Sequence, residues 1–454
     1  MSADNKNSWF DRFVADSAWA IFWAIINVLC ILLRIRHFRE VKSNQFGSGS
    51  QAEKIRIGFC ENGAGYGGAV ISLAAFLENL PGEYDAVIYT SIGTKQYQEL
   101  GKFGLWRHVP AKSFFSPVWF AKLGLPFVSL ADNIFNLLPY AFKYYFWFRR
   151  DKINCVYLNN DASCNFAAAI GAKLARLPLV LHARGFNSDT KGNRWVLANV
   201  DHCMAVSNAV KNELIMLGVP PNKCSVVPEG LDLTVFHPHE AAIGFREELG
   251  LSKDNSVITL VGGLVDWKGQ DVLLDAAPLI FEKFPKAVIL FVGTAYGKNN
   301  VFANFIKERV AQPEFSSRVR MLGERQDIAD ILSCSDIVVH ASTSPEPFGR
   351  TFLEGMALGK AVIASNEGGP LDVISHQVDG LLVEPRDYKK LAAAVIYLLS
   401  DPIMSKNLGA NAAIKARGYS IENHTNLIVK SLSKVMKIRK EGIHSADAVG
   451  DVEV

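Results

Sequence analysis

The chain has 454 residues, of which 49% are hydrophobic and 20% are charged, a composition typical of a folded protein with a large core. Its formal net charge of +3 is too small to indicate a nucleic-acid-binding protein, and its length is enough for two or three domains. The seven cysteines are scattered and have no metal-type spacing, so we expect free thiols rather than a disulfide framework.

An uncharged apolar run, SAWAIFWAIINVLCILL, occupies residues 17–33 near the N-terminus. As a helix it would be about 25 Å long, slightly short of a hydrocarbon core of roughly 30 Å. Basic residues follow the run and aspartates precede it, which disfavours a cleavable signal peptide. A membrane span, a monotopic anchor and a buried helix all remain open. The basic flank predicts that the chain beyond it faces the cytoplasm, and residues 44–51 are typical of a flexible linker.

From Ile55 onward, short apolar runs alternate with helical patterns, which indicates parallel sheets covered by helices on both faces. The alternation reaches about residue 235 and restarts at residue 257, so we expect an α/β protein with two facing, Rossmann-like doubly wound domains. Ligands of such folds bind in a cleft at the carboxyl ends of the strands. We predict an N-terminal helix with its linker at residues 1–50 and two Rossmann-like domains at residues 51–235 and 236–420. Residues 421–454 are predicted to form a C-terminal helix that returns to the first domain, followed by a disordered tail.

Residues 106–148 differ from the rest of the first domain because they are rich in aromatic side chains interleaved with lysine and arginine. This mixture is typical of a membrane interface, where amphipathic rings and cations meet lipid headgroups. Core packing of a helical insert is the alternative interpretation.

The segment PEPFGRTFLE carries two glutamates, Glu346 and Glu354, eight positions apart. A predicted strand at residues 337–340 precedes it, and residues 348–351 are expected to open a helix that ends at Gly359. The N-terminus of a helix presents free amides and a partial positive charge, which suit a phosphate. Carboxylates on either side of that position could accept hydrogen bonds from hydroxyl groups, so the segment predicts a nucleotide-sugar site.

This segment resembles the signature of glycosyltransferase family 4, whose members are retaining enzymes with the GT-B fold. The resemblance extends from Ile55 to the helix after Ser420 and is weak between residues 91 and 148. The motifs that carry it are residues 205–207, 226–232, 261–269, 344–365, 367–370 and 379–383.

The resemblance implies a retaining glycosyltransferase that moves a hexose from a nucleotide-sugar. Because of the apolar N-terminal run and the aromatic segment, we expect this enzyme to act on a lipid-linked or cell-surface polysaccharide precursor. It would be membrane-associated and face the cytoplasm, with the acceptor on the first domain and the nucleotide-sugar on the second. Its implied catalytic residues are Glu346, His182 and Lys268. The implied donor-binding residues are Gly67, Gly68, Lys268, Phe348, Gly349, Arg350, Thr351 and Glu354.

Two of these roles depend on charge and position. Lys268 lies at the start of a predicted helix, where a cation is unfavourable unless an anion lies there, and the resemblance implies that it neutralises the donor diphosphate. His182 ends a predicted strand and is implied to lie near the reacting centre, with a structural histidine as the alternative. The family usually has an arginine at the position of Gly263, so either Arg350 or Arg184 compensates or the activity is reduced.

Two other classes of function are compatible with parts of the sequence. The loop GAGYGG at residues 63–68 fits the dinucleotide-binding pattern of an oxidoreductase, but the next strand ends in Ile88-Tyr89-Thr90, without the acidic residue that would hold the ribose. The glycine at position 263 also allows a non-catalytic partner subunit that binds a nucleotide-sugar without turnover. No Asp-x-Asp motif lies near a strand end, so we expect no cofactor and metal-independent transfer.

Overall fold

The computed structural model describes residues 24–26, 28–29, 54–63, 65, 67–111, 132–240, 244–295 and 301–447, without the side chains of residues 438–447. The chain divides into two units. Of the described residues, the first unit contains those up to Met204, Glu213–Ser225 and those from Ile428 onward, and the second contains those of Ala205–Asn212 and Val226–Leu427. Each unit is built around its own sheet.

The first sheet has seven strands in the order β3-β2-β1-β4-β5-β6-β7, and the pairs from β3 through β5 are parallel. Its order reverses between β1 and β4, and ligands of doubly wound folds bind beyond the carboxyl ends of the strands at such a reversal. The strands are β1 Ile55–Glu61, β2 Tyr84–Thr90, β3 Leu105–His108, β4 Cys155–Asn160, β5 Leu179–Ala183, β6 His202–Ala205 and β7 Cys224–Val226.

The second sheet has six parallel strands in the order β10-β9-β8-β11-β12-β13, so its order reverses between β8 and β11. Its central strands are apolar on both faces because helices cover both sides, and all six residues of β9 are buried. The strands are β8 Ser256–Val261, β9 Ala287–Val292, β10 Val319–Gly323, β11 Ile337–His340, β12 Ala361–Ser365 and β13 Leu381–Val383.

Helices follow the strands in the alternating order that the sequence predicts. Among the described residues, the α-helices named in chain order are α1 Gly68–Glu78, α2 Lys95–Gln98, α3 Leu138–Arg150, α4 Phe166–Ala175, α5 Lys191–Asn199, α6 Asn208–Met216, α7 Phe245–Glu248, α8 Gln270–Lys283, α9 Val301–Val310, α10 Ile328–Ser333, α11 Arg350–Ala357, α12 Pro370–Val373, α13 Tyr388–Ser400, α14 Pro402–Ala416 and α15 Ile421–Asp447. The six described cysteines are free thiols, as expected.

Most of the predicted N-terminal anchor lies outside the described residues, of which 24–26 and 28–29 are helical. Within the described part of the chain, no helix is both long enough and apolar enough to span a bilayer.

The aromatic segment is described only in part, because residues 112–131 lie outside the described ranges. On α3, Tyr144 and Phe148 are buried, and the ring of Phe148 packs edge-on at 5.1 Å from the ring of Tyr89. Phe146 on the same helix is 64% exposed, and Phe135 just before it is 55% exposed. Core packing therefore accounts for one face of this helix and leaves aromatic surface on another.

Candidate functional site

Two predicted site residues meet at the strand reversal of the second unit. Lys268 follows β8 and Glu346 follows β11, and these two strands are neighbours in the sheet. The ammonium Nζ of Lys268 donates a hydrogen bond to Oε2 of Glu346 at 2.8 Å, although 78 positions separate the two residues. The same ammonium lies 4.0 Å from the ring centroid of Trp267, a cation–π contact.

A glycine allows the two loops to approach each other. Gly269, which precedes α8, has a φ of +77°, and an added Cβ would lie 1.9 Å from the carbonyl oxygen of Ala341. In addition, the backbone N–H of Thr343 donates to the carbonyl oxygen of Trp267 at 2.8 Å. The close approach at Gly269 thus brings the loop after β8 against the loop after β11 and places Lys268, the preceding residue, beside Glu346.

The carboxylate of Glu346 is held through one of its two oxygens. Besides Lys268, Ser342 Oγ donates to Oε2 at 2.9 Å, and Nε2 of His340 lies 3.3 Å from the same oxygen. No described residue hydrogen-bonds Oε1. Burial raises the pKa of Glu346, but the charge of Lys268 and the contact with His340 outweigh burial, and the net pKa lies below its usual range. Glu346 is therefore a carboxylate at neutral pH with one oxygen open as an acceptor.

A second charged cluster surrounds the start of α11. Arg350 is the first residue of this helix; its Nη2 lies 3.6 Å from Oε1 of Glu354, and its Nη1 lies 3.9 Å from Oε2 of Glu229. All three side chains are largely buried, and Arg350 Nη1 makes no hydrogen bond to a described residue. Burial raises the pKa of Glu354, and Arg350 partly opposes that rise. Glu229 is not among the site residues predicted from the sequence, although it lies in a motif of the resemblance.

The other predicted donor-binding residues of this loop differ in exposure. Phe348 is buried, and its ring centroid lies 6.2 Å from those of Phe352 and Tyr419, so its side chain belongs to the core. Gly349 has a φ of +99° and precedes α11, while Thr351 lies half-buried in the first turn. The helix begins within the predicted opening at residues 348–351, and Gly359 follows its end with a φ of +72°.

In the first unit, Gly67 and Gly68 form the start of α1, directly after the glycine-rich loop. A Cβ on Gly67 would meet nothing within 4 Å, so sterics within the described residues do not require glycine there. Such an uncrowded backbone suits the close approach of a ligand. Ala64 and Tyr66 of the same loop lie outside the described residues.

His182 is fully buried on β5, and its Nδ1 lies 2.6 Å from the hydroxyl oxygen of Tyr157 on β4. Two residues further on, Arg184 donates from Nε to Oδ1 of Asn159 at 2.7 Å and from Nη1 to Oγ of Ser72 at 2.6 Å. Arg184, one of the two cations considered as replacements for the missing arginine, is thus part of a polar network in the first unit.

The same network includes Glu61, a buried carboxyl that the sequence analysis missed. Its Oε1 accepts the backbone N–H of Gly63 at 2.8 Å, and its Oε2 accepts from Nδ2 of Asn159. Burial raises the pKa of Glu61, and the hydrogen bonds with Asn159 and Gly63 oppose that rise. A glutamate at the end of the apolar run IRIGFCE was the only indication of it in the sequence. It ties the glycine-rich loop to the strand reversal between β1 and β4.

Two family models match this chain. The model of glycosyl transferases group 1 matches residues 244–415, and the model of Glycosyltransferase Family 4 matches residues 66–235. The chain is similar to a D-inositol 3-phosphate glycosyltransferase of Rhodococcus jostii (strain RHA1), with 31% identity over 245 residues that cover 53% of this chain and 54% of the relative. It is also similar to a UDP-Gal:alpha-D-GlcNAc-diphosphoundecaprenol alpha-1,3-galactosyltransferase of Escherichia coli, with 28% identity over 278 residues that cover 57% of this chain and 70% of the relative. The chain spans about half the length of most of the first curated relatives it matches.

Among solved structures, Anabaena HepE in complex with UDP and glucose has a TM-score of 0.71 to this chain, at 23% identity over 84% of this chain and 99% of that one. This likeness concerns the fold alone. Together with the two parallel sheets, it confirms the GT-B class that the sequence predicts.

Proposed function

The chain belongs to glycosyltransferase family 4, and we propose that it is a retaining glycosyltransferase that moves a hexose from a nucleotide-sugar to a lipid-linked or cell-surface polysaccharide precursor. The observation that carries the proposal is the contact between Lys268 and Glu346 at the strand reversal of the second unit. This contact supports the proposal because an ammonium suited to a diphosphate lies beside a carboxylate whose second oxygen is free to accept from a sugar hydroxyl.

The donor would occupy the carboxyl end of the second sheet. Lys268 and the first amides of α11 would neutralise the diphosphate, because a helix N-terminus carries partial positive charge. Glu354, one turn into that helix, would accept hydrogen bonds from the ribose diol. We propose a uridine diphosphate sugar, since UDP occurs in the name of the Escherichia coli relative and in the complexes of Anabaena HepE.

The proposed reaction replaces one bond to the anomeric carbon by another on the same face of the sugar. The bond from that carbon to the diphosphate oxygen breaks, the bond to the acceptor oxygen forms, and the acceptor proton passes to the departing diphosphate. Lys268 stabilises the charge that develops on the leaving group. Glu346, whose pKa is lowered, orients the sugar as a carboxylate rather than acting as an acid.

His182 is proposed to contact the sugar, an assignment that rests on the family resemblance. Because Lys268 and the amides of α11 already supply positive charge to the diphosphate, we propose that transfer needs neither a metal ion nor a cofactor. Metal independence is tested by treating the enzyme exhaustively with a chelator, after which the rate of transfer should be unchanged.

We propose a lipid-linked acceptor at the cytoplasmic face of a membrane. The name of the Escherichia coli relative supports a diphosphoundecaprenol-linked acceptor, and the apolar run at residues 17–33 supports a membrane location. The exposed rings of Phe135 and Phe146, on a segment that also carries Arg149 and Arg150, suit the headgroup region of a bilayer. Deleting residues 1–45 should release the protein from membranes, and full-length protein in the soluble fraction without detergent would contradict the location.

The proposed function is tested with a panel of nucleotide-sugars. The donor that raises the melting temperature most is then offered with a polyprenyl-diphosphate-linked sugar, and transfer is measured with the donor labelled in its sugar. We expect turnover, with the anomeric configuration of the donor retained in the product. Tight binding without turnover across plausible acceptors would favour a non-catalytic nucleotide-sugar-binding partner subunit instead.

A further inference from the structure

We propose that Glu346 serves as an internal counter-ion for Lys268 and that this ion pair makes the protein prefer an intact nucleotide-sugar to a free nucleoside diphosphate. The inference rests on the proposed function, because it concerns the residues assigned there to the donor. It adds a step to that function, namely the return of Lys268 to Glu346 when the sugar has left.

The pair is positioned to compete with a ligand. The side chain of Lys268 is 19% exposed and that of Glu346 is 10% exposed, so solvent screens their attraction less than it would at the surface. Within the described residues, Glu346 is the only carboxylate within 4.0 Å of Lys268 Nζ. A diphosphate that binds Lys268 must therefore share or displace this one partner.

A free nucleoside diphosphate gains little from that exchange. If it displaces Glu346 from Lys268, Glu346 is left as a buried carboxylate that has lost its cation. If it shares Lys268 with Glu346, two anions face each other across one ammonium. The apparent affinity of such a ligand falls in proportion to the fraction of molecules in which Lys268 is available.

An intact donor brings a replacement for the lost partner. Its sugar hydroxyls can donate to Oε1 of Glu346, the oxygen to which no described residue hydrogen-bonds. Meanwhile Ser342 Oγ still donates to Oε2 at 2.9 Å, and His340 Nε2 lies 3.3 Å from the same oxygen. The carboxylate is thus satisfied by the sugar while Lys268 turns to the diphosphate.

After transfer, the sugar leaves with the acceptor, and Glu346 loses its hydroxyl donor. The carboxylate then recaptures Lys268, which weakens the hold on the nucleoside diphosphate and favours its release. One ion pair would in this way both select the substrate and help to expel the product.

The test compares the affinities of UDP and of the preferred UDP-sugar by calorimetry, using the full chain and its variants. In Glu346→Gln, the affinity for UDP should rise about tenfold, because the competing charge is gone, and the preference for the UDP-sugar should shrink. Glu346→Asp, which shortens the side chain by one methylene and lengthens the pair, should shift UDP affinity in the same direction and serves if the glutamine variant does not fold.

Asp254→Asn is the matched control, because it removes an exposed ion pair, Asp254–Lys286, of the same 2.8 Å length in the same unit. It should leave UDP affinity unchanged. An equal rise in this control, or unchanged or weaker UDP binding in both Glu346 variants, would overturn the inference.

A third variant, Lys268→Met, distinguishes a failure of the counter-ion inference from a failure of the proposed function. The variant should lose at least tenfold in UDP affinity if Lys268 binds the diphosphate. If Lys268→Met loses UDP affinity but the Glu346 variants do not gain it, the proposed function stands without the counter-ion role. If UDP binding is unchanged in Lys268→Met, the diphosphate assignment itself fails.

Discussion

Glu346 and Gly368 form a parallel backbone bridge, in which an added Cβ on Gly368 would lie 2.2 Å from the carbonyl oxygen of Glu346. The next residue, Gly369, donates its N–H to that same oxygen at 2.8 Å. The two glycines of the EGGP motif therefore position the main chain of Glu346, while Lys268 and Ser342 hydrogen-bond its side chain.

Gly368→Ala should disturb this arrangement more than an ordinary surface substitution. Its φ of +70° is unfavourable for alanine by about 1 kcal/mol, and the overlap with Glu346 adds to that cost. We expect a loss of at least about 2 kcal/mol in unfolding free energy and a strong loss of turnover. Gly418→Ala, where a Cβ meets nothing within 4 Å, is the control. Equal melting temperatures of the two variants would refute the argument.

Ser342→Ala removes the hydroxyl that donates to Oε2 of Glu346. Hydrogen bonds to charged groups contribute about 1.5–3 kcal/mol, so turnover should fall about tenfold or more as the carboxylate loses its orientation, while UDP affinity stays near that of the wild type. The control is Ser335→Ala, a buried serine of the same unit that bonds to Thr259 and to the backbone of Ile331. A parallel fall in kcat in both variants would indicate a general loss of stability instead.

Glu354→Gln should weaken the binding of UDP itself. If the carboxylate accepts both hydroxyls of the ribose, the neutral amide should cost about tenfold to a hundredfold in affinity. The matched ligand is 2′-deoxyuridine diphosphate, which should lose much less on the same substitution. Equal UDP affinity in wild type and variant would remove the ribose assignment.

The affinity for UDP should also depend on pH through Glu354. Burial raises the pKa of this carboxyl despite the nearby Arg350, so it takes up a proton at a higher pH than an exposed glutamate does. UDP affinity should therefore weaken as the pH falls through that raised pKa, and Glu354→Gln should abolish this part of the dependence. A dependence that persists unchanged in the variant would place its origin elsewhere.

His202 gives the first unit a separate sensitivity to acid. Burial, with a smaller contribution from Lys434, lowers the pKa of His202 from 6.5 to about 4. Folding thus favours the neutral ring, and its contribution is complete above pH 6.5 and is lost as the pH falls from 6.5 to about 4. The expected loss is about 3 kcal/mol.

His202→Gln should flatten the fall in melting temperature between pH 6.5 and 4. His237→Gln, at an exposed histidine, should leave the slope as it is in the wild type. An unchanged slope in His202→Gln would show that other groups dominate acid unfolding in this range.

The sequence predicted the two sheets well because their strands are continuous apolar runs between glycines and polar turns. Ile337–His340, for example, is a strand with the predicted bounds. The strand Leu105–His108 was missed, since this four-residue edge strand is half-exposed and extends into the aromatic segment, where no alternation marks it.

The pieces of the candidate site were visible in the sequence, but their pairing was not. Nothing in a linear pattern shows that Lys268 reaches Glu346 rather than solvent, because the contact depends on how closely Gly269 lets two loops approach. His340 was hidden for a different reason: it ends the buried strand IVVH and reads as part of an apolar run. Glu61 was overlooked in the same way at the end of β1.

The strand order of the second sheet has a consequence for the newly made chain. Neighbouring strands β8 and β11 are separated in sequence by β9, β10 and helices α8 to α10, so their pairing closes a long loop and is among the non-local, slow steps of folding. Lys268 leaves the ribosome well before Glu346 is synthesised. Until then the lysine has neither its carboxylate nor the α11 amides beside it. If the proposed function holds, the onset of UDP binding would therefore report that this half of the chain has been completed and folded.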